Sequence, residues 1–234
     1  MPDALLPTLW SAVSQAAPHP DARTLIVAAV LAAALVIPHP VWRIAGVWVT
    51  VVHELGHAFA GMVRGRTGMR IRVNRDHSGL TTSTGHADTV AWTSFWGYPT
   101  PSLVGAAVAC AAAAGWAGAA LGVMLAAMLA ALLFMRGVLT WAVTLATLAA
   151  GVLLLMRGTD VLVTGAVLAT GMFLWAGGVR AIANVSRLHA TGRGHGSDAQ
   201  ALAQRTPIPA FVWLAVFWLL SLAPVGLLVW ALRA

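Results

Sequence analysis

The chain has no lysine, and among its 234 residues stand a single glutamate, a single cysteine and a single tyrosine. Charged residues make up only 9%. A soluble domain of this size carries about a quarter of its residues as charges to keep its surface wet. That shortage excludes an ordinary soluble fold. The hydrophobic share of 59% and a mean hydropathy of +0.82 point to an all-α polytopic membrane protein instead. A lone Cys110 forbids an intrachain disulfide. All fourteen basic residues are arginine, as in a GC-rich genome. The net charge of +7 suggests nucleic acid only until the arginines are placed. They fall between apolar runs, where positive charge orients a membrane protein. No aromatic-basic array accompanies them, so the expected partner is the lipid bilayer and not nucleic acid. The N-terminal segment, residues 1–23, lacks a basic start and a single short apolar core, so it does not read as a cleaved signal peptide. Residues 24–234 read as one transmembrane domain.

Apolar runs bounded by turn residues or arginines give about seven candidate helices. They run from Thr24 to Ile37, Val41 to Val63, two within Pro101 to Met135 broken near "AAGWAG", Val138 to Met156, Val161 to Val179, and Pro209 to Leu232. A different text separates the second from the third: "GRTGMRIRVNRDHSGLTTSTGHADTVAW". There Met69, Ile71 and Val73 alternate with Arg70, Arg72 and Asn74, which is strand periodicity, and a small β-hairpin is expected within about 67–90. With a cytoplasmic N-terminus and seven spans, eleven arginines fall inside and only Arg43, Arg157 and Arg233 outside. This bias predicts that orientation, and a cytoplasmic loop over about 180–208.

The polar residues that remain are concentrated in "VVHELGHAFAGMVRGR", Val51 to Arg66. An ionisable group inside a membrane helix costs about 2.5 kcal/mol or more without a partner, and is therefore a functional candidate. His53 and His57 are one helical turn apart, about 40° around the axis, so both imidazoles can face one cation. Glu54 sits close to the same face. Two neutral imidazoles that bind Zn2+, with a neighbouring carboxylate as general base toward water, form the HExxH arrangement of zinc peptidases. Shuffling this composition, with eight histidines and one glutamate, yields the pattern in roughly one sequence per thousand. Gly56 and its small neighbours read as a packing face.

"VVHELGHAFAGMVRG", the Gly-rich segment with "DHSGLT", and "GYPTPSLVGA" opening the next helix resemble the site-2 protease class of intramembrane zinc metalloproteases, in a compact bacterial branch without a PDZ domain. The resemblance covers about Val41 to Leu220. It implies hydrolysis of peptide bonds in membrane proteins, a bacterial cell-membrane location, and zinc held by two histidines and one aspartate. The larger class supplies that aspartate from an Asn-Pro-rich "DG" motif, which this chain lacks. Among its aspartates, Asp160 falls on the outer side of the membrane, away from His57. Asp76, Asp88 and Asp198 share the histidines' side. Asp198, in "GHGSDAQALAQRTPIPA", matches a "SDA…LA…P" stretch of the compact branch and is preferred over Asp76 and Asp160. Its competing reading is a helix N-cap shared with Ser197. The expected site is thus His53, His57 and Asp198 as metal ligands with Glu54 as general base. The expected partner is a membrane-protein substrate, with the hairpin from Met69 to Thr82 offering an edge to an extended chain. The alternative is a non-proteolytic membrane protein with a structural or assembly metal site. His77 and His86 are outer-sphere candidates, His189 and His195 read as surface residues, and Tyr98 reads as part of an aromatic belt.

Overall fold

The structure, a computed structural model, describes residues 5–226. Helix α1 (Leu5–Ser14) precedes α2 (Ala22–Val36) and α3 (His39–Val63), and strands β1 (Thr67–Val73) and β2 (Gly79–Thr84) follow. Then come α4 (Thr89–Phe95), α5 (Pro99–Ala113), α6 (Ala117–Ala131), α7 (Val138–Arg157), α8 (Asp160–Ala190), α9 (Asp198–Ala203) and α10 (Ala210–Leu222). The expected end of the last helix at Leu232, and Arg233, lie outside the described residues.

Each break has a local cause. Asp21 caps α2 by accepting the Thr24 N–H at 2.8 Å. Pro38 and Pro40 follow α2, and α3 leaves at a bend of 100°. Gly115, in the left-handed region at φ 84°, divides α5 from α6. α8 runs 31 residues, eleven past the expected end at Val179, because "RAIANVSRLHA" keeps a buried face through Ile182 and Val185. The expected loop over 180–208 is therefore mostly helix.

The breaks also change the membrane count. By length and composition α7 and α8 can cross a bilayer, and α2 with α3 makes a third span at most. α5 and α6 have 15 residues each. That is roughly 22 Å of helix, short of a hydrocarbon core of about 30 Å. The expectation of seven spans thus holds for apolar segments and not for full-length crossings among the described residues.

α5 packs on α8 through small residues. A Cβ on Gly171 would stand 2.6 Å from the Ala109 nitrogen and 2.7 Å from the Gly105 carbonyl oxygen, so the two backbones are in direct contact. This contact holds the start of α5, with Gly97 and Tyr98 just before it, beside the C-terminal half of α8.

The hairpin does not project away from the helices. β1 buries Met69, Ile71 and Val73 against Val47, Val51, Leu55 and Ala58 of α3. It runs back along α3 until its tip meets the start of that helix, where the His77 Nε2–H donates to the Arg43 carbonyl at 3.1 Å. Gly46 makes the room: a Cβ there would lie 2.5 Å from His77 Cε1. A strand at this depth must have both edges satisfied or wet. The outer edge of β1 is closed by the α6–α7 linker. The Ile71 N–H donates to Phe134 O at 2.8 Å, and the Arg136 N–H donates to Ile71 O at 2.7 Å. No further strand pairs with β2 among the described residues, and its far edge faces a cavity.

The hairpin base and the α9 segment lie at one end of α8, and Asp160 at the other, roughly 36 Å of helix from Asn184. Single cysteines at Thr84, His195 and Asp160, in a Cys110→Ala background, are therefore expected to divide into two sidedness classes. Gln15 lines one pocket with Asp160, and a Cβ on Gly165 would stand 3.5 Å from Thr24 Cγ2. The N-terminal helices thus lie at the Asp160 end of α8, opposite the 180–208 segment with which a cytoplasmic N-terminus was expected to share a side. An impermeant thiol reagent on intact cells is expected to label either the Asp160 position alone or the other two together. Labelling of all three positions would contradict the arrangement.

Candidate metal centre

α3 brings His53 and His57 to one face, and their Nε2 atoms stand 3.1 Å apart. α9 supplies the third group. Asp198 Oδ2 lies 3.2 Å from His53 Nε2 and 3.3 Å from His57 Nε2. In a tetrahedral zinc site with bonds of about 2.0–2.1 Å, ligand atoms stand roughly 3.3–3.4 Å apart. The three atoms are thus spaced as one face of such a tetrahedron.

Their chemistry agrees. The Thr93 carbonyl can only accept, so His57 donates through Nδ1 at 2.8 Å and turns the lone pair of Nε2 toward the cluster. Asp198 Oδ2 is buried and has no hydrogen-bond partner. Acceptor atoms facing one another in a largely buried place repel unless a cation or a shared proton lies among them. The donor set, two imidazoles and a carboxylate, suits zinc.

Asp198 reaches this place because Ser197 does the capping. The Ser197 Oγ accepts the Gln200 N–H at 3.3 Å and lies 2.7 Å from His189 Nε2. Asp198 is then the first residue of α9, free to project. Ala199 and Leu202 anchor α9 in an apolar cluster with Ile182, Val185, Leu214 and Phe217. The shared-cap reading therefore gives way to a division of labour between the two residues. His189, expected at the surface, instead holds the turn that carries Asp198.

Glu54 is buried beside the pair at 4% exposure. Its Oε2 accepts the Thr81 hydroxyl at 2.7 Å, which ties the carboxylate to β2. Gly79 leaves the carboxylate its space, since a Cβ there would fall 2.6 Å from Glu54 Cδ. A second glycine backs the centre itself. A Cβ on Gly97 would stand 2.6 Å from His57 Nε2 and collide with Asp198 Oδ2. All four residues line one cavity of about 800 Å³, with Leu80, Thr81 and Thr82 of β2 along one wall.

The other candidates stay out of the cluster, although Asp76 and His77 line the same cavity. Asp76 accepts the N–H and hydroxyl of Ser78 in the hairpin turn. Asp160 is at the far end of α8, and Asp88 precedes α4 without capping it. His77 packs edge-on to Trp42 and does not join the cluster. His86 lends only its carbonyl, which accepts from Arg66. Thr81, Thr93, Gly97 and Tyr98 escape a reading of spacing, because none forms a pattern with the histidines along the chain. The tie between Ser197 and His189, eight residues apart, is the one local signal that was available.

The family model described as peptidase M50B-like matches residues 26–228. The chain belongs to that family. It is accordingly a membrane-embedded peptidase by family, in keeping with the site-2 protease resemblance and with its apolar helices. No curated protein and no solved structure matches the chain.

Gly97→Ala is expected to lower zinc affinity by at least about tenfold, the scale of a displaced supporting group, without unfolding the protein. Equilibrium dialysis against zinc with a circular dichroism control checks it. Parental affinity would show that the Gly97 contact does not shape the centre.

Proposed function

We propose that the protein is an intramembrane zinc endopeptidase that hydrolyses peptide bonds of membrane proteins. The observation that carries this reading is the convergence of three acceptor atoms beside a buried carboxylate, in a cavity walled by an open strand edge. His53, His57 and Asp198 would hold the ion at the wall of the cavity. Zinc supplies Lewis acidity there, lowering the pKa of water and polarising a carbonyl.

The chain's own groups do the rest. Glu54 takes the proton from the attacking water and returns it to the leaving amine nitrogen. Thr81 holds one carboxylate oxygen, so Oε1 is the freer of the two for that proton. The far edge of β2 offers backbone groups to an extended segment. Extension matters because a helical peptide bond is shielded by its own hydrogen bonds. A membrane-spanning substrate would have to unwind locally, and the cavity gives it a polar wall of Thr81, Thr82 and Ser83 in which to do so. A purely structural metal site needs no general base and closes its fourth position. A buried Glu54 facing a cavity favours catalysis.

His53→Ala, His57→Ala and Asp198→Ala are each expected to lower bound zinc from one per chain to a small fraction, read by mass spectrometry after dialysis. Full retention in all three would remove the site. Glu54→Gln is expected to keep the zinc and to reduce cleavage of a single-span model substrate by at least about 10²-fold, the low end for a lost general base. Near-parental cleavage would exclude the mechanism.

A further inference from the structure

Tyr98, the only tyrosine in the chain, packs against the metal centre. Its ring stands edge-on to His53, with centroids 4.7 Å apart and planes at 82°. Its other face stacks on Phe217 at 5.5 Å. Gly97 on one side presses against the metal centre, and Pro99 on the other is buried at the start of α5. The ring is thus fixed by its neighbours. Tyr98 lines the same cavity as His53, Glu54, His57 and Asp198. Its hydroxyl has no hydrogen-bond partner among the described residues and is not among the buried orphaned atoms, so it is open to the cavity.

Three nearby donors are already committed. The Thr81 hydroxyl serves Glu54. The Thr93 hydroxyl serves the Thr89 and Val90 carbonyls. The Arg66 guanidinium is held by Ser83, His86 and Thr89. Peptide hydrolysis needs a donor aimed at the carbonyl oxygen, where negative charge develops. A phenol held against one ligand ring and free at its hydroxyl meets that need.

We propose that the Tyr98 hydroxyl is the hydrogen-bond donor to the oxyanion of the scissile carbonyl, an inference that rests on the peptidase reading. In the step, the water oxygen bonds to the carbonyl carbon, the C=O π pair moves to the carbonyl oxygen, and Glu54 takes the water's proton. The Tyr98 O–H stays intact and donates to the new oxyanion. On collapse the C–N bond breaks and Glu54 gives its proton to the nitrogen.

Tyr98→Phe keeps the ring contacts with His53 and Phe217 and deletes only the donor. Zinc content should stay at the parental level. For a single-span model substrate kcat should fall roughly 10²- to 10³-fold, the cost of one such donor, with KM nearly unchanged. Affinity for a peptide phosphinate, whose tetrahedral anion mimics the charged state, should fall in step, while inhibition by 1,10-phenanthroline should not change. A single tyrosine also allows a measurement without substitution. In the zinc-loaded parent carrying tyrosine labelled with carbon-13 at Cζ, the one resonance should shift when the phosphinate binds. Parental kcat and phosphinate affinity in zinc-replete Tyr98→Phe, or an unmoved resonance at saturating phosphinate, would overturn the assignment. A zinc-loaded parent that neither cleaves nor binds the phosphinate would overturn the peptidase reading, and this assignment with it.

Discussion

Two imidazole nitrogens and a carboxylate oxygen meet within 3.3 Å of one another, and among the described residues no other donor bonds Asp198 Oδ2. That is an unstable arrangement without positive charge, and much of the surrounding structure serves to keep it in place. His57 is oriented by the Thr93 carbonyl from behind. Asp198 is delivered by a helix of six residues anchored by its buried Ala199 and Leu202. Gly97 leaves room beside His57 and Asp198 that a Cβ would fill. The cost of polar groups in an apolar interior is offset when a cation pairs with them, and wasted otherwise.

The hairpin obeys a second constraint of the same kind. Backbone N–H and C=O groups at membrane depth need partners or water. The α6–α7 linker supplies partners to one edge through Ile71, and the cavity leaves the other edge wet. The edge left wet is the one tied to Glu54 through Thr81. One element therefore positions the carboxylate and presents the surface to which an extended chain would add, so the two functions cannot drift apart.

Much of this was legible in the sequence. The i, i+4 spacing of His53 and His57 and the isolation of Glu54 stood out because the chain is so poor in charge. The alternation of Met69, Ile71 and Val73 revealed the hairpin, and the "AAGWAG" break fell where Gly115 turns the chain. The spans were harder to read, because hydropathy registers apolar runs whether or not they reach across a bilayer. The continuation of α8 to Ala190 was hidden by two arginines, Arg180, which stacks over Trp42 and donates to the Ile37 carbonyl, and the exposed Arg187. The roles of Tyr98, Thr81, Thr93 and Gly97 were out of reach, since they depend on contacts across 27 or more residues or on an absent Cβ. Ser197 and Asp198 showed the opposite limit: the local capping signal was correct, and only the tertiary contact reveals which of the two residues it leaves free.

The most direct test is X-ray absorption at the zinc edge on the purified, zinc-loaded protein in detergent. The account predicts a four-coordinate ion with nitrogen and oxygen neighbours at about 2.0–2.1 Å, including outer-shell scattering from two imidazoles. Absence of stoichiometric zinc, or a shell without imidazole scattering, would contradict it.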